Sequence, residues 1–147
     1  MPELPSAIAR ATLARTPVIL VIDDEPGSRL AISAALEQHG LDVVMARNGR
    51  QALAALRQVK PDLVLTDITL PEPEAAETLQ QIRRERPWIP IMAMSSSGRV
   101  DVAGLFSLAT KLGIDAIVAK PFDEDRLLDA VQDMLPQARR QEHGAAT

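Results

Sequence analysis

The amino-acid sequence predicts a doubly wound α/β domain built on a parallel sheet, and three observations carry that prediction. Short apolar runs alternate five times with segments of helical periodicity. The runs are too brief for helices and rich in β-branched residues, as strands buried on both faces are. Four of them finish at a polar residue: Asp23, Asp67, Ser95 and Lys120. In an open α/β sheet the carboxyl ends of the strands are where ligands bind.

Taken in order, residues 1–16 are Ala-rich with Pro2 and Pro5 and are read as a flexible extension. Val18 to Ile22, bounded by Pro17 and Asp23-Asp24, is a central strand. Pro26 suits the first turn of a helix whose Leu30, Ile32, Ala35 and Leu36 recur at helical spacing, with Gly40 as its C-terminal cap. A strand at Asp42 to Ala46 follows, then Asn48 as a cap and a helix from Gly49 to Val59 with Leu53 and Leu56 inward. Lys60-Pro61 breaks that helix. The run from Asp62 to Pro71 is a buried strand that places Asp67 at its C-terminal lip. The next helix carries Ala76, Leu79 and Ile82 on one face and stops before Pro87. Pro90 to Met94 is the fourth strand, ending in Ser95-Ser96-Ser97-Gly98. A helix from about Val100 to Leu112 leads through Gly113 to the fifth strand, Ala116 to Ala119, which ends in Lys120-Pro121-Phe122. The last helix, Glu124 to about Leu135, buries Leu127, Leu128 and Val131. Residues 17–136 are thus one domain, and the polar tail 137–147 is expected to be disordered.

Composition narrows the chemistry. A formal net charge of −4 argues against nucleic-acid binding, which calls for a basic stripe. With no cysteine, disulfide frameworks, thiol catalysis and thiolate metal sites all drop out. Two histidines make a multi-histidine metal site improbable and leave carboxylates as the metal ligands. No apolar run reaches the roughly 20 residues that span a bilayer, and Arg10 and Arg15 interrupt any signal-peptide centre, so a cytoplasmic location is expected.

Right-handed crossovers gather Asp23, Asp24, Asp67, Ser95 and Lys120 at one sheet edge. Crowded carboxylates repel, and a divalent cation relieves them. Magnesium suits such a place because it takes one or two carboxylates together with waters and phosphate oxygens. A carboxylate beside magnesium, faced by an ammonium and a hydroxyl, can accept a phosphoryl group, a reaction that needs alignment and charge neutralisation more than acid–base chemistry. Asp67 is then the acceptor. Asp24, Asp67 and the backbone carbonyl of Thr69 hold the metal, with Asp23 acting through water, and Lys120 and Ser95 bind the phosphoryl oxygens.

This set, Asp23-Asp24, Asp67, Ser95 and Lys120-Pro121 in that order, resembles the receiver domain of two-component response regulators, over roughly residues 17–136. The resemblance implies a flavodoxin-like five-stranded sheet of order 2-1-3-4-5 with five helices. It implies phosphotransfer from a phosphohistidine on a sensor histidine kinase or a histidine phosphotransfer protein to Asp67. It also implies a face, made by the fourth helix, fifth strand and fifth helix, that changes on phosphorylation. The chain is expected to be a stand-alone, chemotaxis-type regulator, a monomer or weak homodimer that signals to a downstream protein target without contacting nucleic acid or membrane. The alternative is an atypical receiver that binds partners without being phosphorylated.

Three features depart from the family pattern. Glu74-Ala75 stands where an Asp-Gly pair is usual, and Ile117 where Tyr or Phe precedes the lysine by three residues. The segment from Ser95 to Lys120 is a few residues longer than usual, and it is expected, with the fourth helix, to select partners. Elsewhere the plainer readings hold. His39 caps a helix end, Trp88 is peripheral packing far from Asp67, and Arg83, Arg84, Glu85 and Arg86 form a solvated helix end.

Overall fold

A computed structural model of the chain describes residues 16–68, 73–96, 102–120 and 122–135. The elements run β1 (Val18–Ile22), α1 (Pro26–Gln38), β2 (Asp42–Ala46), α2 (Gly49–Gln58), β3 (Leu63–Ile68), α3 (Pro73–Glu85), β4 (Ile91–Ser96), α4 (Val102–Leu112), β5 (Ala116–Lys120) and α5 (Glu124–Met134). The five strands form one parallel sheet of order β2-β1-β3-β4-β5. This is the flavodoxin-like doubly wound topology with its five helices, as expected. β4 runs past Met94 to Ser96, so Ser95 lies within the strand.

Strand alternation sorts the core into two layers. Ile19, Val21, Leu63, Leu65, Met92, Met94 and Val118 face Ile32 and Leu36 of α1 and Leu127, Leu128 and Val131 of α5. Leu20, Ile22, Val64 and Ile91 face Ala52 and Leu56 of α2, Leu79 and Ile82 of α3, and Leu112 of α4. Leu30 of α1 is 58% exposed and lies outside the stripe formed by Ile32, Ala35 and Leu36. Each fully buried Leu or Ile contributes roughly 1.5–3 kcal/mol over an exposed one, enough to fix which helix covers which face.

The helix ends follow local chemistry. Glu25 caps α1 by accepting from the N–H groups of Gly27 and Ser28, Asn48 caps α2 by accepting from Gln51, and Asp123 caps α5 by accepting from Arg126. His39 closes α1, its ring nitrogen 3.1 Å from the carbonyl of Ala35, and Gly40 takes the left-handed turn at φ +82°. Gly49 has a different reason. A Cβ there would run into the Thr78 side chain, so with any larger residue the start of α2 or the Thr78 side chain would have to shift.

The helix end at Arg83 to Arg86 is not simply solvated. Arg83 donates to the carbonyls of Pro87, Ile89 and Gly113 and to Asp115. Arg86 donates to the carbonyl of Leu56, and Arg57 pairs with Glu85. Planar guanidinium groups with several donors tie α3 to its neighbours where the sequence suggests only a charge run. Trp88 is 90% exposed and therefore covers nothing in the core.

Candidate functional site: an acidic cluster at the carboxyl edge of the sheet

Parallel strands end together, so the chain's polar strand ends converge. Asp23 follows β1, Asp67 is the penultimate residue of β3, Ser95 precedes the last residue of β4, and Lys120 closes β5. Counting in twos from Ile19 and Val21, Leu63 and Leu65, and Val118 reaches Asp23, Asp67 and Lys120. All three therefore continue the phase that faces α1 and α5. Asp67 pairs in register with Met94, and Ser95 comes one residue further on, beside Ile68 and Ala119. Ser95 is 4% exposed, so its hydroxyl lies within the sheet edge.

Carboxylate oxygens of Asp23, Asp24 and Asp67 all lie within 4.8 Å of one another. Asp23 is buried, Asp67 partly buried and Asp24 exposed, so the cluster has a dry side and a wet side. Lys120 brings a positive charge to the cluster, its Nζ 3.5 Å from Asp67 Oδ1 and 3.6 Å from Asp23 Oδ2. Asp67 Oδ1 is buried with no hydrogen-bond partner, so the ammonium reaches it only as an ion pair. Burial pushes the Asp67 carboxyl above its ordinary value of 3.8, Lys120 opposes that, and the charges of Asp23 and Asp24 add to it.

Asp23 is held far more tightly. Its carboxylate accepts from the N–H of Glu25 at 3.0 Å and from the hydroxyl of Ser28 at 2.6 Å. Its N–H donates to the carbonyl of Ala46 and its own carbonyl accepts from Arg29 at 2.8 Å. The Ser28 hydroxyl also lies 3.3 Å from Lys120 Nζ. Sequence reading missed Ser28 and Arg29; their place in the first turn of α1, directly after the acid pair, was the available signal.

A cavity of about 260 Å³ opens on the wet side, lined among others by Asp24, Asp67, Arg47, Asn48, Ala75 and Thr78. Ala75, with its small side chain, lines this cavity together with Asp67. Three convergent carboxylates with one orphaned buried oxygen are a donor set that can coordinate a divalent metal. Thr69, whose carbonyl was expected to complete that set, lies outside the described residues, as do Ser97, Gly98 and Pro121. Asp23, Asp24, Asp67, Ser95 and Lys120 are thus all brought to one edge, and Ser28 joins them.

Comparison with known proteins agrees with this geometry. The family described as "Response regulator receiver domain" matches residues 19–132. Sporulation initiation phosphotransferase F of Bacillus subtilis is 33% identical over 118 residues, covering 80% of this chain and 93% of that protein. The transcriptional regulatory protein GlrR of Escherichia coli is 30% identical over 120 residues, 82% of this chain but 26% of that protein. The chain therefore spans about a quarter of the length of that relative, and about half of the "Probable transcriptional regulatory protein TcrX" of Mycobacterium tuberculosis. A crystal structure of a response regulator from Thermotoga maritima superposes with a TM-score of 0.71 at 33% identity, covering 81% of this chain and 97% of that one. Among the described residues, no helix is long and apolar enough to cross a membrane.

Proposed function

The chain belongs to the response regulator receiver domain family, a family of phosphoacceptor signalling domains rather than classical enzymes, and from that membership we propose the following roles for its residues. Asp67 takes a phosphoryl group from a phosphohistidine on a sensor histidine kinase or a histidine phosphotransfer protein. A carboxylate oxygen of Asp67 attacks phosphorus in line, the P–N bond breaks, and the imidazole leaves with its electron pair and is protonated from solvent. The single observation that carries this reading is the buried, unpartnered Asp67 Oδ1 within an ion-pair distance of Lys120.

Lys120 takes up one phosphoryl oxygen as charge moves onto the transferring group, and the Ser95 hydroxyl donates to another. Asp24, Asp67 and the carbonyl of Thr69 would hold magnesium, with Asp23 acting through a water; when bound, the cation neutralises charge on the phosphoryl oxygens. No residue is needed as a general base because the acceptor is already an anion. The cavity beside Ala75 admits the donor from the Asp24 side. Output is by contact with a downstream protein, in the cytoplasm, from a monomer or weak homodimer.

Intact-mass spectrometry after incubation with magnesium and acetyl phosphate tests the assignment. The parent should gain the mass of one phosphoryl group and Asp67→Asn none. A parent that gains nothing would instead be a receiver that binds its partner unmodified.

A further inference from the structure

Three groups from two distant parts of the chain meet around the ammonium of Lys120. Lys120 Nζ lies 3.3 Å from the Ser28 hydroxyl, 3.5 Å from Asp67 Oδ1 and 3.6 Å from Asp23 Oδ2, while Ser28 is itself 2.6 Å from Asp23 Oδ2. An ammonium has three protons and no acceptor capacity. The lone pairs of Ser28 are therefore the side it must present to Lys120, and its single proton is directed to the carboxylate of Asp23. The hydroxyl is oriented by Asp23, and it orients Lys120.

We infer that Ser28 is a positioning residue for phosphoryl transfer, acting through Lys120. The inference rests on the reading of Asp67 as phosphoacceptor. Lysine is a flexible point charge that loses much rotamer freedom when fixed. Before transfer Asp67 and Asp23 both draw the ammonium. Once a phosphoryl group sits on Asp67, Lys120 must shift toward the new oxygens, and Ser28 is the one neutral acceptor in its shell among the described residues. A neutral contact survives that shift without competing electrostatically with the phosphoryl group, so it keeps the ammonium at the site lip in both states. Ser28 has a second consequence. By occupying Asp23 Oδ2 it leaves that carboxylate a weaker claim on a metal, in keeping with metal contact through water rather than directly.

The test is a double-mutant cycle on the full chain, with acetyl phosphate as donor and saturating magnesium, read as the rate constant of phosphoryl uptake by intact mass. Ser28→Ala should slow uptake about tenfold, as expected for one hydrogen bond to a charged group at the reacting centre. Ser28→Thr, which keeps the hydroxyl, should stay within about twofold of the parent by the same scale. In a Lys120→Ala background Ser28→Ala should cost nothing further, because the group it positions is gone. An unchanged rate in Ser28→Ala overturns the inference alone. An equal loss in both backgrounds overturns it as well, since Ser28 would then act through the fold and not through Lys120. A parent that takes up no phosphoryl group overturns the acceptor reading and this inference together.

Discussion

The two edges of the sheet use the same residue type to opposite effect. At the amino edge Asp62 accepts from the N–H of Val18 at 2.8 Å, and Asp115 accepts from the N–H of Ile91 at 2.9 Å and from Arg83 at 3.1 Å. At the carboxyl edge Asp67 Oδ1 has no hydrogen-bond partner and two further carboxylates stand beside it. The difference lies in the backbone. The starts of parallel strands present free N–H groups, which a carboxylate satisfies, while their ends present carbonyl oxygens, which it cannot. Acids at the first edge bind the fold together. At the second edge Asp23 finds its donors in the first turn of α1 instead, and together with Asp24 and Asp67 it forms a set that can coordinate a divalent metal.

The largest test of that contrast is chemical. Asp67→Asn should abolish phosphoryl uptake entirely, whereas Asp115→Asn, at the other edge, should retain it while the protein stays folded; intact mass distinguishes the two. Next, Lys120→Ala should slow uptake roughly 100-fold or more, the cost of removing one preorganised donor from developing charge. Stability should then move the other way. Asp115→Ala strands the Ile91 N–H and one Arg83 donor, and because Asp115 is partly exposed the loss should be about 1–2 kcal/mol by urea unfolding. Smallest of all, magnesium should leave Trp88 emission nearly unchanged, since that side chain sits at the amino edge and is already in water.

The sign of the pH dependence sharpens the same comparison. The folded chain binds a proton on Asp67 more tightly than the unfolded chain does, because burial raises that carboxyl above 3.8. Ionising Asp67 therefore costs stability. The parent should lose stability as pH rises from 3.8 through the raised folded value, with the full penalty in place above it. The advantage of Asp67→Asn should accordingly be present at neutral pH and close below 3.8. Melting curves of the pair across that range check it.

The carboxyl edge was legible because each of its main residues follows directly from an apolar run, so strand order and parallel direction suffice to bring Asp23, Asp67, Ser95 and Lys120 together. The amino edge was not. Arg83 and Asp115 are 32 residues apart, and their pairing depends on the end of α3 lying beside the turn between α4 and β5, which no local pattern announces. Arg83 to Arg86 therefore looks in sequence like a solvated charge run. Ser28 escaped for a related reason. A serine in a first turn usually serves the helix itself, and its link to Lys120, 92 residues away, exists only after α1 packs beside β5's end.

Thermal melting of the parent and Asp67→Asn at neutral pH, in metal-free buffer and again with magnesium, tests the central claim most directly. Without metal the Asn variant should melt roughly 2–6 °C higher, the shift expected when a repelled, desolvated charge worth about 0.5–2 kcal/mol is removed. Magnesium should raise the parent and scarcely move the variant, narrowing the gap. A parent that melts at or above Asp67→Asn in metal-free buffer, or one indifferent to magnesium, would contradict the account.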